Sequence, residues 1–244
     1  MIHFHGTPLG GKRDDVARFW LCRHAFVPFP RPEDLPTVAE VACSFAFDNG
    51  AFSAWRSGNP ISDWSDYYAW VDEWRRHPGF AWAIIPDVID GNEQDNDDLL
   101  AEWPYEECGV PVWHLHESLE RLERLVSAYQ RVAFGSSGDF AVVGTDAWLL
   151  RMDEAMRVAC DENGRPLAKL HGLRMLDPAI FHQFPFASAD STNVARNASR
   201  KSAEVGCNIP TARLIIAERI ERHNSAARFE NRPQQRRLAF TLTG

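Results

Sequence analysis

Strand-like apolar runs alternate with helical or polar stretches along most of this chain, and six of those runs end in a residue that can do chemistry or shape a pocket. The endings are Phe47-Asp48-Asn49-Gly50, Ile85-Pro86-Asp87, Leu115-His116-Glu117, Phe134-Gly135-Ser136-Ser137, Leu170-His171-Gly172 and Ala189-Asp190-Ser191-Thr192. In a (β/α) barrel every strand points the same way, and the active site is assembled from the C-terminal strand ends. The pattern therefore predicts an α/β chain folded as a TIM-like (β/α)8 barrel, an enzyme whose mouth is lined by Asp48, Asp87, His116 and Asp190. A doubly wound open sheet alternates in the same way. No Gly-x-Gly-x-x-Gly follows the first strand, which weakens its dinucleotide-binding version.

The chain of 244 residues fits one barrel domain, expected over residues 1–225, with a C-terminal tail over 226–244 packed on it or partly flexible. No apolar run approaches the roughly 18 residues of a membrane span, and the first six residues are too short and polar for a signal peptide. The five cysteines (Cys22, Cys43, Cys108, Cys160, Cys207) are scattered without a Cys-x-x-Cys spacing. That favours reduced thiols and a cytoplasmic protein over a disulfide framework. The formal charge of -8 is uneven: residues 190–244 hold ten Lys/Arg against five Asp/Glu. A net-acidic protein does not attract polyanions by its overall charge, but a local arginine-rich face can. A solvated helix face explains the same pattern.

The spacing predicts strands at Ile2–His5, His24–Val27, Val41–Phe47, Phe80–Ile85, Val110–Leu115, Arg131–Phe134, Ala168–Leu173 and Phe186–Ala189. Pro28–Pro36 reads as extended. Helices are expected at Lys12–Trp20, after a Ser62 cap, in the acidic stretch around Asp97, after a Ser118 cap, and at Thr145–Cys160, Pro178–Gln183 and Ile209–Glu221.

Asp190 ends an apolar strand, where a carboxylate can attack an anomeric carbon and form a covalent glycosyl-enzyme. It can equally be a helix cap before Ser191 and Thr192. Arg196 would lie one to two turns into the following helix, in reach of a phosphate, with Arg200 and Lys201 beside it. Asp48, beside a turn-forming Asn-Gly pair, supplies a second carboxylate, and paired carboxylates in different environments divide nucleophile and acid/base roles. Asp87 can accept two hydrogen bonds from the N–H edge of a purine-like ring. Gly135, Ser136 and Ser137 offer amides and hydroxyls for a base carbonyl or a phosphate. Phe52, His116 and His171 complete the expected substrate-binding set. The pairs His3/His5 and His114/His116 share a face at strand spacing and could each grip a metal, or could be hydrogen-bonded core histidines.

Asp48-Asn49-Gly50-Ala51-Phe52 resembles the Asp-Ser-Gly-Gly-Phe motif of the tRNA-guanine transglycosylases. Asp190 with Arg196 is similar to that family's nucleophilic Asp and downstream Thr-Arg. Gly135-Ser136-Ser137-Gly138 stands where the family has its Gly-Gly-Leu base-binding turn, Asp87 at the order position of its second base-recognising Asp, and His116 at that of a polar substrate contact. The likeness runs in order from about residue 41 to 200. The family's Cys-x-Cys-x-x-Cys…His zinc subdomain has no counterpart here. The chain in this respect resembles the compact DpdA-type deazaguanine DNA transglycosylases of phages and bacterial defence islands.

The resemblance implies a glycosyltransferase that exchanges guanine in a nucleic acid for a 7-deazaguanine base such as preQ0. DNA is favoured as the polymer and tRNA remains an option. Asp190 would be the nucleophile and Asp48 the acid/base, and no cofactor or metal would be required. It also implies the host cytoplasm as location and allows a homodimer. One alternative is an amidohydrolase-type barrel holding a metal on His3, His5, His116 and Asp190. Another is a nucleic-acid-binding relative without catalysis.

Overall fold

Side-chain alternation along the first strand, β1 (Ile2–Gly6), sets the layout of the molecule. Phe4 points into the sheet's concave interior and packs with Phe26, Ala46, Trp82, Ile84, Val110, Val112 and Ala133. His3 and His5, one position to either side, point outward. The computed structural model describes residues 1–230; residues 231–244, which carry Arg232, Arg236, Arg237 and most of the expected tail, lie outside the described residues.

The strands that follow are β2 (His24–Pro28), β3 (Ser44–Asp48), β4 (Phe80–Ile84), β5 (Gly109–Val110), β6 (Val112–His114), β7 (Arg131–Gly135), β8 (Lys169–Gly172) and β9 (Ser188–Ser191). They pair in the order β5-β4-β3-β2-β1-β9-β8-β7-β6, and every pairing is parallel. The two ends of this order, β5 and β6, are separated in the chain by Pro111 alone. Proline has no N–H to give a ladder, so the expected strand at Val110–Leu115 divides there. On one side Val110 O accepts from Ile85 N at 2.9 Å; on the other Pro111 O accepts from Ala133 N at 2.9 Å. The result is a nearly closed, barrel-shaped parallel sheet, compatible with the TIM-like expectation. Its interior is filled by side chains: the rings of Phe4 and Trp82 meet edge-on at 5.4 Å.

The helices are α1 (Arg13–Trp20), α2 (Leu35–Val41), α3 (Ala51–Arg56), α4 (Ser65–Trp74), α5 (Glu93–Glu102), α6 (Leu119–Ala128), α7 (Asp146–Ala159), α8 (Pro178–Phe181), α9 (Asn193–Val205) and α10 (Ile209–Glu221). Two apolar clusters fill the space between sheet and helices, one around Trp113, Trp148 and Phe184 and the other around Trp20, Phe47 and Tyr67. Ser118 caps α6 as expected, its hydroxyl accepting from Arg121 N, and Thr145 caps α7 in the same way. No helix among the described residues is long and apolar enough to cross a membrane.

The proline-rich stretch expected to be extended instead turns after Pro28, and its last two residues start α2, with Pro36 in the first turn, where a missing N–H costs nothing. The Asn-Gly turn expected after Asp48 is the entrance to α3. Gly50 there has φ +82°, and a Cβ would meet the Pro30 ring at 2.5 Å, so both backbone and space demand glycine. Asp63, not Ser62, accepts from Ser65 N at the start of α4.

His3 and His5 fasten α10 and its following turn to the barrel. His3 Nε2 bonds His223 O at 2.9 Å, and His5 Nε2 lies 2.9 Å from Glu221 Oε1. Arg23 reaches the same carboxylate through Nε at 2.9 Å and Nη2 at 3.2 Å. Burial alone would raise the Glu221 pKa, but these partners overcome it and hold the group at about 2, below its ordinary 4.5. A carboxylate with a depressed pKa stabilises the fold above its unfolded value, and that contribution drains away as the pH falls from about 4.5 towards 2. Glu221→Gln should therefore cost about 1–3 kcal/mol at neutral pH, with the gap to wild type narrowing below pH 4.5. Denaturant titrations at pH 7 and pH 3 measure both values; an equal gap at the two pH values would remove the ion pair from the account.

Candidate active site at the strand ends

Because all strands run the same way, their C-terminal ends open into one cavity of about 450 Å³. Asp48 closes β3, Asp87 follows β4 by three residues, His114 closes β6, Gly135 and Ser136 lie at the end of β7, and Asp190 lies within β9. All of them line the cavity, as do Phe52 of α3, Arg174 from the loop after β8, and Arg196 in the first turns of α9. Arg31 and Arg56 add two further guanidinium groups to the lining.

The three carboxylates are held in different ways. Asp48 presents its surface to the cavity but sits deep among protein atoms, and this burial is the main reason its pKa rises to about 7. The Gly50 N–H, 3.2 Å from Oδ1, works against the rise. The charges of Asp190 and Asp87 add to it, and Arg174 eases it. Asp87 is clamped: Oδ1 accepts from Asn49 Nδ2 at 2.7 Å, and Oδ2 lies 2.8 Å from His114 Nε2. Asn49 also donates to Ile85 O at 3.0 Å and accepts from Ala51 N at 2.8 Å, so one buried amide ties the end of β3, the end of β4 and the start of α3 together.

Asp190 is held through a single oxygen. Its Oδ1 accepts from Arg174 N at 2.9 Å and lies 3.4 Å from His171 Nε2. Among the described residues no hydrogen bond reaches Oδ2. Arg174 itself adopts φ +61°, an uncommon conformation for a non-glycine residue and one that aims its amide at Asp190. Its side chain donates to Ser136 O at 2.9 Å and lies flat over Phe52, with Cζ 3.8 Å from the ring centre. Burial lowers the Arg174 pKa, while Asp190 and Asp48 favour its charged form.

Several residues expected at the mouth stand elsewhere. His116 does not line the cavity; its Nδ1 bonds Ser137 Oγ at 2.7 Å and its Nε2 bonds Gly91 O at 3.2 Å. Ser137 is spent on that contact. His114 faces the cavity instead, because β6 ends there and the alternation does not continue to His116. His171 is fully buried beneath Asp190 rather than in the lining. Glu117 is equally buried and structural: it accepts from His114 N, Asn96 and Arg121, the last at 2.7 Å. Of the three expected phosphate contacts only Arg196 lines the cavity; Arg200 is exposed further along α9, and Lys201 pairs with Glu204 at 3.0 Å. His3 and His5 face the helix layer, on the opposite side of the sheet from Asp190. Among the described residues no group of three or more His, Cys, Asp or Glu side chains is arranged to hold a metal ion.

Asn49, Arg174 and Arg56 were not singled out from the sequence. Asn49 had the signature of a turn residue. Arg174 offers no sequence signal, since its left-handed conformation follows from its packing against Asp190 and Phe52.

Asp48 carries a stability cost. Its pKa is raised on folding, so the folded state keeps its proton longer than the unfolded chain, and stability falls as the pH climbs from about 3.8 to about 7. Asp48→Asn keeps an acceptor for Gly50 N and removes the ionisation. The variant should match wild type near pH 4 and exceed it progressively up to pH 7–8, with each kcal/mol worth about 2–4 °C in Tm for a chain of this size. Thermal melts at pH 4, 6 and 8 check this; a pH-independent difference would mean that Asp48 ionises freely.

No protein-family model matches the chain, and no curated protein matches it. The mouth is therefore read through its own geometry.

Proposed function

We propose that the chain is a transglycosylase that exchanges guanine in a nucleic acid, DNA in preference to tRNA, for a 7-deazaguanine base such as preQ0. The observation that carries this reading is the meeting of Asp48 and Asp190 in one cavity with unlike environments. Asp48 sits near pKa 7 and can lend and recover a proton at neutral pH. Asp190 is anchored through Oδ1 with Oδ2 left to the cavity, as suits an attacking oxygen. We also read β5 and β6 as one strand interrupted at Pro111, which makes the sheet a (β/α)8 barrel.

In the first step an Asp190 oxygen bonds to the sugar C1′. The C1′–N9 bond breaks, its electron pair stays with guanine, and the departing base takes a proton from Asp48. In the second step the incoming base returns a proton to Asp48 and bonds C1′, which releases the Asp190 carboxylate. Two inversions leave the sugar configuration retained. Asp87, clamped by Asn49 and His114, faces the base as a fixed acceptor for ring N–H groups. The arginines of the lining, Arg31, Arg56, Arg174 and Arg196, suit the phosphates around a base flipped out of its stack. The metal-hydrolase alternative has less support, because His3 and His5 face α10 and its following turn.

The test is to incubate the protein with guanine-containing DNA or tRNA and labelled preQ0, preQ1 or guanine, and to follow base exchange by nucleoside mass spectrometry. Wild type should incorporate label and, when denatured during turnover, carry a covalent mass on Asp190. Asp190→Asn should abolish both. Asp48→Asn should slow exchange by about 10²-fold or more, the scale of a lost acid/base. Asp87→Ala should raise KM for the base by about 10-fold or more, the scale of lost hydrogen bonds to a charged group. An active Asp190→Asn enzyme would overturn the glycosyl-aspartate mechanism.

A further inference from the structure

The interior of the barrel below Asp190 holds a row of polar groups that the exchange chemistry does not use. Arg131 of β7 donates from Nη1 to Ser188 Oγ at 3.0 Å. Ser188 Oγ lies 2.9 Å from His171 Nδ1, and His171 Nε2 lies 3.4 Å from Asp190 Oδ1. Ser188 and His171 are fully buried. Around the imidazole stand rings from other strands: Phe4 at 6.1 Å, Phe26 at 5.5 Å and Trp82 at 4.8 Å between centroids. Arg131 also stacks over Trp82 at 5.3 Å.

Hydrogen-bond bookkeeping chooses the tautomer. Arg131 has only donors, so Ser188 Oγ must accept from it. If His171 carried its proton on Nδ1, that N–H would also point at Ser188 Oγ. The serine hydroxyl hydrogen would then have no acceptor within the row, and the bare Nε2 lone pair would face a carboxylate oxygen. If instead Ser188 donates to Nδ1, the proton of His171 sits on Nε2 and points at Asp190. The Ser188 oxygen and hydrogen are then both satisfied, and the Nε2–H faces Asp190 Oδ1. Burial holds the ring neutral against the pull of Asp190.

We propose that Arg131, Ser188 and His171 form a fixed-tautomer relay that positions Asp190, with His171 Nε2–H and the Arg174 amide pinning Oδ1 so that Oδ2 is presented to the cavity. The proposal rests on the reading of Asp190 as nucleophile and adds residues that act through it. A neutral donor orients the carboxylate without cancelling its charge. At 3.4 Å the last contact falls outside hydrogen-bond geometry in this structure, and it is the contact His171 Nε2 is aimed at. Contacts of this kind tighten when substrate engages. Arg131 supplies the positive charge from the far end of the row, and Asp48 and Arg174 are the other charged groups facing Asp190.

The experiment has a spectroscopic arm and a kinetic arm. In the first, nitrogen-15 histidine spectra of the whole protein are compared with those of His171→Gln to assign His171. The relay requires an unprotonated Nδ1 and a protonated Nε2 between pH 6 and 8; a proton on Nδ1, or a charged ring, overturns it. In the second, exchange of labelled guanine into a guanine-containing oligodeoxynucleotide is measured. His171→Met, which fills space without a donor, should lower kcat by about 10- to 100-fold, the scale seen when an orienting partner of a reactive ligand is lost, with KM for guanine unchanged. His171→Gln, whose amide nitrogen can stand in for Nε2, should recover most of that loss. Ser188→Ala should lower kcat in the same direction and populate both tautomers. Should His171→Met not fold, Ser188→Ala decides alone: unchanged kcat with an unchanged tautomer overturns the relay. A wild-type protein with no exchange activity but the Nε2–H tautomer would sink the transglycosylase reading and leave the relay standing as a clamp on Asp190.

Discussion

Parallel pairing is the constraint on which everything else here depends. A parallel sheet has its strand ends sorted by chemistry: all C-termini on one side, all N-termini on the other. Here the sheet bends until its two edges, β5 and β6, adjoin at Pro111. Without that near closure Asp48 on β3 and Asp190 on β9 would be separated by the spread of an open sheet. With it they line the same cavity, close enough that the charge of one raises the pKa of the other. The proline at the seam is tolerable because each half of the interrupted strand needs to pair on only one side.

The three acidic groups of the mouth differ because each has a different wall behind it. Behind Asp87 stand Asn49, which donates to Oδ1, and the His114 ring, whose Nε2 lies 2.8 Å from Oδ2. Behind Asp190 stand the Arg174 amide and the buried imidazole of His171, which engage one oxygen. Asp48 has the Gly50 amide and the Arg174 charge to offset its burial, and these leave its pKa raised to about 7. Identical side chains thus come to differ in their partners and in their freedom.

The second tier of polar contacts shows how little of a site can be varied alone. Glu117 ends one of the strand-like runs, yet it is buried with Arg121, Asn96 and the His114 amide. Removing one partner from such a pair strands the other charge. Through His114 the pair also bears on Asp87. Asn49 reaches the same carboxylate from the other side while it fixes the start of α3, which carries Phe52. The Asp87 carboxylate, strand end and helix start are mechanically one unit here.

The sequence by itself determined the alternation of strands and helices, the cap at Ser118, the bounds of α10, and the identity of Asp48, Asp87 and Asp190 as strand-end carboxylates. These are local properties: periodicity, capping chemistry and the polarity of the residue that ends an apolar run. It did not determine that β6 ends at His114 and turns His116 away, that proline-rich residues start α2, or that Gly50 opens a helix instead of a hairpin-like turn. Those outcomes depend on neighbours distant in the chain, such as Pro30 against Gly50 and Ser137 against His116. Only the tertiary structure decided that Arg174 would turn its amide to Asp190 and that Asp48 would titrate near 7. A backbone twist forced by packing and a desolvation set by the surrounding protein leave no mark on the order of residues.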